Sequence, residues 1–154
     1  MIDDVSEGAQ MAELEALIAQ LSLDGRVLFL GHRPRQAIPL LLSQGDVMAL
    51  PRAAGIFSQA GFPTKLGEYL ASGKPVVVTN TGDISQYLQD GANAFLTPPG
   101  DTSSFAHALQ YVMSNPKEAR EVGRRGREVA VSQFSSQVHG ARIIEFIRAL
   151  RQAN

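Results

Sequence analysis

Four short apolar runs, none alternating with polar positions, recur along the first two thirds of this chain. They occupy residues 26–30, 46–50, 75–79 and 94–97. Runs of this kind are typical of strands that are buried on both faces of a sheet. Stretches with helical spacing and short connections separate them, so the pattern predicts an α/β domain with a parallel sheet and flanking helices.

Helical spacing accounts for most of the remaining chain. One helix is expected at 8–22, and shorter ones at 37–43 and 84–89. After Thr102 the pattern is helical to the end and predicts helices at about 102–113, 116–132 and 135–151. We therefore expect one domain with a sheet region, about 1–101, and a C-terminal helical region, about 102–152.

Apolar stripes lie on two of these helices. The stripe on the first helix is formed by Met11, Leu14, Leu17, Ile18 and Leu21. The stripe on the last helix is formed by Ile143, Ile144, Phe146, Ile147 and Leu150. We expect the first helix to lie on another part of the protein, and the last to dock on the sheet or on a further domain.

Composition excludes several classes of function. The 154 residues carry a net charge of -1, which gives no overall field favouring nucleic acid. The absence of cysteine excludes disulfides, thiolate metal sites and a cysteine nucleophile, and is compatible with a cytoplasmic protein. No apolar run approaches the roughly 20 residues of a transmembrane helix. A single globular domain that buries a hydrophobic core fits these limits.

Candidate chemistry lies where the predicted strands end, because ligands of open parallel sheets bind at the carboxyl ends of the strands. The segment from Gly61 to Leu70 passes from a loop into a helix, with Pro63 at or near the first helical position. The free amides of Thr64, Lys65 and Leu66 could then bind an anion, with Lys65 adding charge. On composition alone, a plain connection is the commoner explanation of such a loop.

Other candidate residues are weaker. Glu68, about one turn into that helix, could accept hydrogen bonds from two ribose hydroxyls, although an exposed helix glutamate is the simpler interpretation. His32, His107 and His139 are too scattered to predict a metal site. The basic segment 123–127 lies among glutamates, which favours a solvated helix face over a nucleic-acid surface.

Ordered sequence blocks give a more specific indication. They are Val27–Gly31, Gly45–Pro51, Phe62–Val77, Gly82–Ile84, Asp90–Leu96 and Pro98–Asp101. Together they resemble the C-terminal domain of group 1, or family 4, glycosyltransferases over nearly all of residues 13–134. The resemblance implies one Rossmann-like domain of a two-domain GT-B fold. It also implies a retaining enzyme that binds a nucleotide-diphosphate sugar without a required metal or other cofactor.

The resemblance also implies roles for individual residues. Glu68 matches the second glutamate of the family's Glu-x7-Glu motif and is expected to hold the donor ribose. Thr64 and Lys65 match positions where backbone amides meet the donor diphosphate. The backbone passes the donor sugar at positions that match Gly61, Phe62 and Pro63. The loop beside the base is matched by Gly31, His32 and Arg33. These are binding residues, and no catalytic nucleophile is assigned in this chain.

Two departures from the family pattern change the expectation. Ala60 stands at the motif's first glutamate, so one contact to the donor sugar is missing or is supplied elsewhere. The opening strands of the domain, with an Arg and a Lys, are not matched, which reduces the phosphate clamp to Lys65 with Arg33 or Arg52. The partner acceptor domain is not matched either. We therefore expect an incomplete domain, inactive alone, with an uncovered sheet edge prone to self-association.

Three functions remain open at this point. The first is the donor-binding domain of a transferase that moves a sugar to an alcohol acceptor, in a parent enzyme for which peripheral membrane contact is compatible with the sequence. The second is a non-catalytic nucleotide or nucleotide-sugar-binding module that acts with a separate partner chain. The third is a structural domain whose binding site has decayed.

Overall fold

The computed structural model describes the backbone of residues 4–152 and the side chains of residues 11–151. The chain divides into two compact units, Met1–Arg35 and Gln36–Asn154. The first unit contains helix α1, Asp4–Gln20, followed by turns and irregular chain. This confirms the helix expected at 8–22. Four side chains of its apolar stripe, Met11, Leu14, Leu17 and Leu21, are exposed.

The prediction of a strand at 26–30 is wrong. The backbone amide of Arg26 closes a turn on the carbonyl of Leu23, and the following residues are irregular. The side chains from Val27 to Leu30 are 39–75% exposed. A parallel strand forms only through hydrogen bonds to a neighbouring strand. No strand among residues 4–152 pairs with this run.

The second unit contains a three-stranded parallel sheet. Its strands are β1, Met48–Leu50; β2, Val76–Thr79; and β3, Phe95–Thr97, in the spatial order β1-β2-β3. Met48 pairs with Val76, and Val77 pairs with Phe95. The three remaining strand predictions and the parallel α/β class are confirmed.

Helices connect and flank these strands. A 3₁₀ turn, Arg35–Ala37, leads into the others: α2, Ile38–Gln44; α3, Ile56–Ala60; α4, Thr64–Ala71; α5, Ile84–Tyr87; α6, Thr102–Ser114; α7, Pro116–Gln133; and α8, Ser136–Gln152. All the expected helices of this unit are present. The short helix α3 was not predicted, because its residues lie within the segment expected to be a loop.

The core is formed around β2, every residue of which is buried. Successive side chains of a strand point to opposite faces of the sheet. Val76 and Val78 accordingly pack into a cluster with residues of α4, whereas Val77 packs on the other side with residues of α6 and α7. Burial on both faces explains why this strand reads as an unbroken apolar run.

Helix α7 approaches the rest of the unit through two glycines. They are Gly123 and Gly126, and both are buried. A Cβ on Gly123 would come to 2.6 Å from the carbonyl oxygen of Gly73. On the outer face, Arg124 forms ion pairs with Glu121, at 2.6 Å, and with Glu128. The basic segment 123–127 therefore has the expected solvated face. The two glycines of this segment, Gly123 and Gly126, pack against the rest of the unit.

The apolar stripe of α8 does not dock on the sheet, contrary to one of our expectations. Its side chains are 46–64% exposed, from Ile143 to Leu150. An amphipathic spacing identifies the face that a helix can bury, but it does not identify the surface that buries it. Docking on a further domain stays a prediction.

Candidate functional site

The start of α4 has free backbone donors, but fewer than expected. Pro63 is the residue before the helix, with φ −72° and ψ 112°, and has no N–H of its own. The amide of Leu66 donates to the carbonyl of Pro63 at 3.0 Å, so it is not available to a ligand. The amides of Thr64 and Lys65 have no acceptor in the described part of the chain. Two of the three predicted donors therefore remain.

A groove of about 530 Å³ runs beside this helix start. One wall comes from α4 and the loop before it, and the opposite wall comes from the end of α7 and the start of α8. The residues that line it are Phe62, Thr64, Gly67, Glu68, Ala71, Ala130, Val131, Phe134, Ser135 and His139. Three of the predicted site residues, Phe62, Thr64 and Glu68, thus face the ends of α7 and α8, which lie more than sixty positions further along the chain.

Thr64 and Glu68 lie one helical turn apart on the same wall of this groove. Glu68 is exposed, and its carboxylate forms no hydrogen bond or ion pair with any residue of the described range. Its carboxylate is therefore free to accept hydrogen bonds from a ligand's hydroxyl groups. Lys65 is exposed as well, but it does not line the groove, so only its backbone amide is aligned with Thr64.

Three aromatic rings fix the loop at one end of the groove. Phe62 lies 5.6 Å from Tyr87 and 5.3 Å from Phe134, measured between ring centroids, and the latter two rings are 5.1 Å apart. We call these three residues the aromatic cluster. Edge and tilted ring contacts of this kind are stabilising beyond the area they bury. The cluster joins the loop before α4 to α5 and to the end of α7.

The other end of this loop is held by hydrogen bonds to the sheet. Nη1 of Arg52 donates to the carbonyl oxygen of Gly61 at 2.7 Å, and the amide of Arg52 donates to Oγ1 of Thr79 at 3.0 Å. The amide of Gly82 donates to Oε1 of Gln59 at 3.1 Å. The segment between β1 and α4 is thus connected at several points to β2 and to the residues that follow it.

A second pocket, of about 430 Å³, lies at the carboxyl ends of the three strands. Pro51, Arg52, Thr79 and Pro98 are among its lining residues, together with the first turn of α6. Most of this lining is apolar. This second pocket is lined by residues at the strand ends, whereas Thr64 and Glu68 line the groove between α4 and the α7–α8 junction.

The three residues expected beside the base lie in the first unit of the chain. Gly31, His32 and Arg33 are in irregular, exposed chain, and Gly31 has a positive φ of 64°. Their role beside a base stays a prediction. Conversely, sequence reasoning missed the groove wall formed by Phe134, Ser135 and His139, whose only signal was the helix break at Phe134.

The described residues, 4–152, contain neither a metal-binding cluster nor a membrane-spanning helix. No group of three His, Asp or Glu side chains in that range could hold a metal ion. In the same part of the chain, every helix is too short or too polar to cross a membrane.

Known proteins are similar to this chain in sequence and in fold. Residues 3–129 match the family model of glycosyl transferases group 1. The chain is 30% identical over 133 residues to the N-acetyl-alpha-D-glucosaminyl L-malate synthase of Bacillus anthracis, covering 86% of this chain and 33% of that protein. It is 26% identical over 152 residues to a GDP-mannose-dependent phosphatidylinositol monomannoside mannosyltransferase of Mycolicibacterium smegmatis, covering 97% of this chain and 40% of that one.

Solved structures agree with the sequence matches. The Anabaena protein HepE, solved in complex with UDP-glucose, aligns with a TM-score of 0.83 and 26% identity, over 94% of this chain and 38% of that one. The C-terminal domain of the group 1 protein LpcC from Francisella tularensis has the same fold, with a TM-score of 0.72 over 83% of this chain and 64% of that domain. The chain spans between a third and two fifths of the curated relatives described above. It has a Rossmann-like fold and belongs to the group 1 glycosyltransferases, which are GT-B proteins.

Proposed function

We propose that this chain binds the nucleotide-diphosphate sugar donor of a retaining glycosyltransferase, which transfers the sugar to an alcohol acceptor. The observation that carries the proposal is the pairing of free amides at the start of α4 with an unpartnered carboxylate one turn later. The helix start suits a diphosphate, because its amides and the helix dipole both favour negative charge. Glu68 suits the two adjacent hydroxyls of a ribose.

The comparisons support the same ligand class. HepE, whose structure was solved with UDP-glucose, shares the fold over 94% of this chain. The mannosyltransferase of M. smegmatis is described as dependent on GDP-mannose. The two donors differ in base and in sugar, but both contain a ribose and a diphosphate. In this proposal the groove residues Thr64 and Glu68 bind those shared parts.

In the proposed role, Thr64 and Lys65 stabilise the departing diphosphate through their backbone amides, and the Lys65 ammonium adds long-range charge. The chain contributes binding and orientation of the donor, with no nucleophile and no metal or cofactor of its own. Transfer then requires the acceptor-binding domain of the parent enzyme, so the 154-residue chain alone is expected to be inactive.

Ala60 favours a second candidate function, a non-catalytic module that binds the nucleotide or nucleotide sugar for a partner chain. Ala60 ends α3 and is exposed. Its methyl group can neither accept a hydrogen bond from a sugar hydroxyl nor stabilise positive charge developing on the sugar. A module that recognises only the nucleotide would bind UDP-glucose no more tightly than UDP, whereas a donor site is expected to gain from the sugar.

Calorimetric titration of the full chain tests the proposal. The ligands are UDP, UDP-glucose, GDP, GDP-mannose and inorganic pyrophosphate. We expect saturable binding of at least one nucleoside diphosphate. Glu68→Gln should weaken that binding by about tenfold or more, because a hydrogen bond to a charged group contributes roughly 1.5–3 kcal/mol. Pyrophosphate binding should change little, since it has no ribose.

Glu145→Gln is the matched control. It removes the same charge from an exposed position on α8. It should leave every affinity unchanged. Equal weakening of pyrophosphate and nucleoside diphosphate by Glu68→Gln would contradict the ribose role. A wild-type chain that binds none of the five ligands at millimolar concentration would leave donor binding by this chain without support.

A further inference from the structure

We propose that Arg52 is a positioning residue that sets the orientation of the peptide between Gly61 and Phe62, an inference that rests on the proposed function. This peptide belongs to the loop expected to meet the donor sugar. Nη1 of Arg52 donates a 2.7 Å hydrogen bond to the carbonyl oxygen of Gly61, and this contact is partly buried. No other side chain of the described residues bonds to that carbonyl.

The hydrogen bond to the Gly61 carbonyl also fixes the direction of the Phe62 N–H, because both groups belong to one planar peptide unit. In a trans peptide, the C=O and the N–H of one unit point in opposite directions. Because Arg52 holds the carbonyl of Gly61, the N–H of Phe62 must point to the side away from the guanidinium. That N–H has no acceptor among residues 36–152. Arg52 therefore presents a free backbone donor at the expected sugar position.

The loop depends on this contact because Gly61 itself offers little resistance to rotation. Without a Cβ, glycine populates many backbone conformations, so the ψ angle of Gly61 restricts the orientation of the following peptide only weakly. Arg52 is in turn held in place, since its own amide donates to the buried Oγ1 of Thr79 at the end of β2. The orientation of the Phe62 amide is thus transmitted from the sheet through Arg52.

This arrangement bears on Ala60, which precedes Gly61. The family's motif has a glutamate at this position, and Ala60 can make no polar contact through its side chain. A fixed backbone donor at Phe62 provides one polar contact to the sugar that does not depend on residue 60. The specificity for the donor sugar in this chain then depends on loop orientation and hence on Arg52.

Spectra of the ligand-free protein test the positioning. Arg52→Met keeps the apolar stem and removes the donor, while Arg52→Lys restores a cationic donor. In the isotope-labelled 154-residue chain, Arg52→Met should shift the Gly61 carbonyl ¹³C resonance upfield and broaden the Phe62 amide by peptide exchange. Arg52→Lys should reverse part of both changes. Unchanged Gly61 and Phe62 resonances in Arg52→Met would overturn the inference.

Binding supplies a readout that a merely structural role would not move. Arg52→Met should weaken UDP-glucose binding by about tenfold, which is roughly 1.4 kcal/mol, and UDP binding by less than about twofold. Arg120→Met, which removes a cation from an exposed site on α7, should change neither. Equal weakening of both ligands by Arg52→Met, or a large fall in its melting temperature, would contradict the sugar-side role. If the wild type binds neither UDP nor UDP-glucose, the proposed function is not supported, and the ligand-free spectra still decide the role of Arg52.

Discussion

The carbonyl oxygen of Asn93 lies 2.6 Å from the point where a Cβ atom on Gly126 would stand. The contact joins α7 to the turn before β3, and the obstacle is backbone, which cannot rotate away as a side chain can. We expect Gly126→Ala to lower the free energy of unfolding by about 3 kcal/mol, at the upper end of overpacking costs. Urea denaturation measures this change.

Gly140 on α8 is the control for this substitution, because nothing lies within 4 Å of its added Cβ. Gly140→Ala should stabilise its helix, by up to about 1 kcal/mol, since alanine is the better helix former. If Gly126→Ala were equally stabilising, the close packing of α7 against Asn93 would be wrong.

The aromatic cluster gives a second prediction, for the loop that ends in Pro63. Phe134→Ala should reduce the free energy of unfolding by about 3 kcal/mol, because it removes a ring in contact with two others. Tyr87→Phe keeps the ring contacts and should change it by less than about 0.5 kcal/mol. Thermal and urea unfolding measure both. Similar losses in the two variants would mean that the Tyr87 hydroxyl, rather than ring packing, holds the cluster together.

Buried threonines give a third prediction with an internal control. Thr79→Val removes the acceptor of the Arg52 amide and should cost about 1–2 kcal/mol of folding free energy. The hydroxyls of Thr81 and Thr97 are buried without a hydrogen-bond partner among the described residues. Thr97→Val should therefore be neutral or slightly stabilising. The reverse order of stabilities in urea would contradict these assignments.

Asp101 gives a prediction about pH. It precedes α6 and accepts hydrogen bonds from the hydroxyl and the amide of Ser104, at 2.6 and 2.9 Å. These bonds lower the pKa of the Asp101 carboxyl below its ordinary value of 3.8. A lowered pKa in the folded state means that the stabilisation is complete above pH 3.8 and is lost as the pH falls through the lowered value.

Asp101→Asn keeps an acceptor oxygen but does not titrate, which isolates this effect. The melting temperature of the wild type should exceed that of Asp101→Asn above pH 4, and the difference should shrink as the pH falls below about 3.8. A difference that stays constant down to pH 2 would show that the charge of Asp101 does not contribute to the cap.

The sequence pattern correctly predicted the three strands that pair with one another. It did not predict that the apolar run at 26–30 would be irregular. The apolar residues 75–79 form the centre of the sheet because strands lie on both sides of them. Residues 26–30 are equally apolar but have no such neighbours in the described structure. An apolar composition indicates that a segment can be buried. Strand formation also requires hydrogen bonds to a second strand, and the local sequence pattern does not show whether that strand is present.

The candidate site was predictable on one wall only. Local signals around Pro63 indicated a helix start, so Thr64 and Glu68 could be placed on one face. Phe134, at the end of α7, reaches the same groove because α7 packs against α4, and His139 reaches it from α8, which packs on α7. No spacing within residues 61–68 encodes this packing. The bond between Leu66 and Pro63 also escaped prediction, because 3₁₀-type closure of a first turn depends on the backbone angles adopted there.

The register of the sheet has a consequence for how the chain folds. Met48 pairs with Val76, so no hydrogen bond between β1 and β2 can form until the whole segment carrying α3 and α4 has closed into a loop. Helices α6, α7 and α8 follow one another directly and depend on local bonds, which form much faster. On a ribosome, β1 emerges well before its partner. The parallel pairing of β1 with β2 should therefore limit the folding rate, and a nascent chain that stalls before Val76 would leave β1 unpaired.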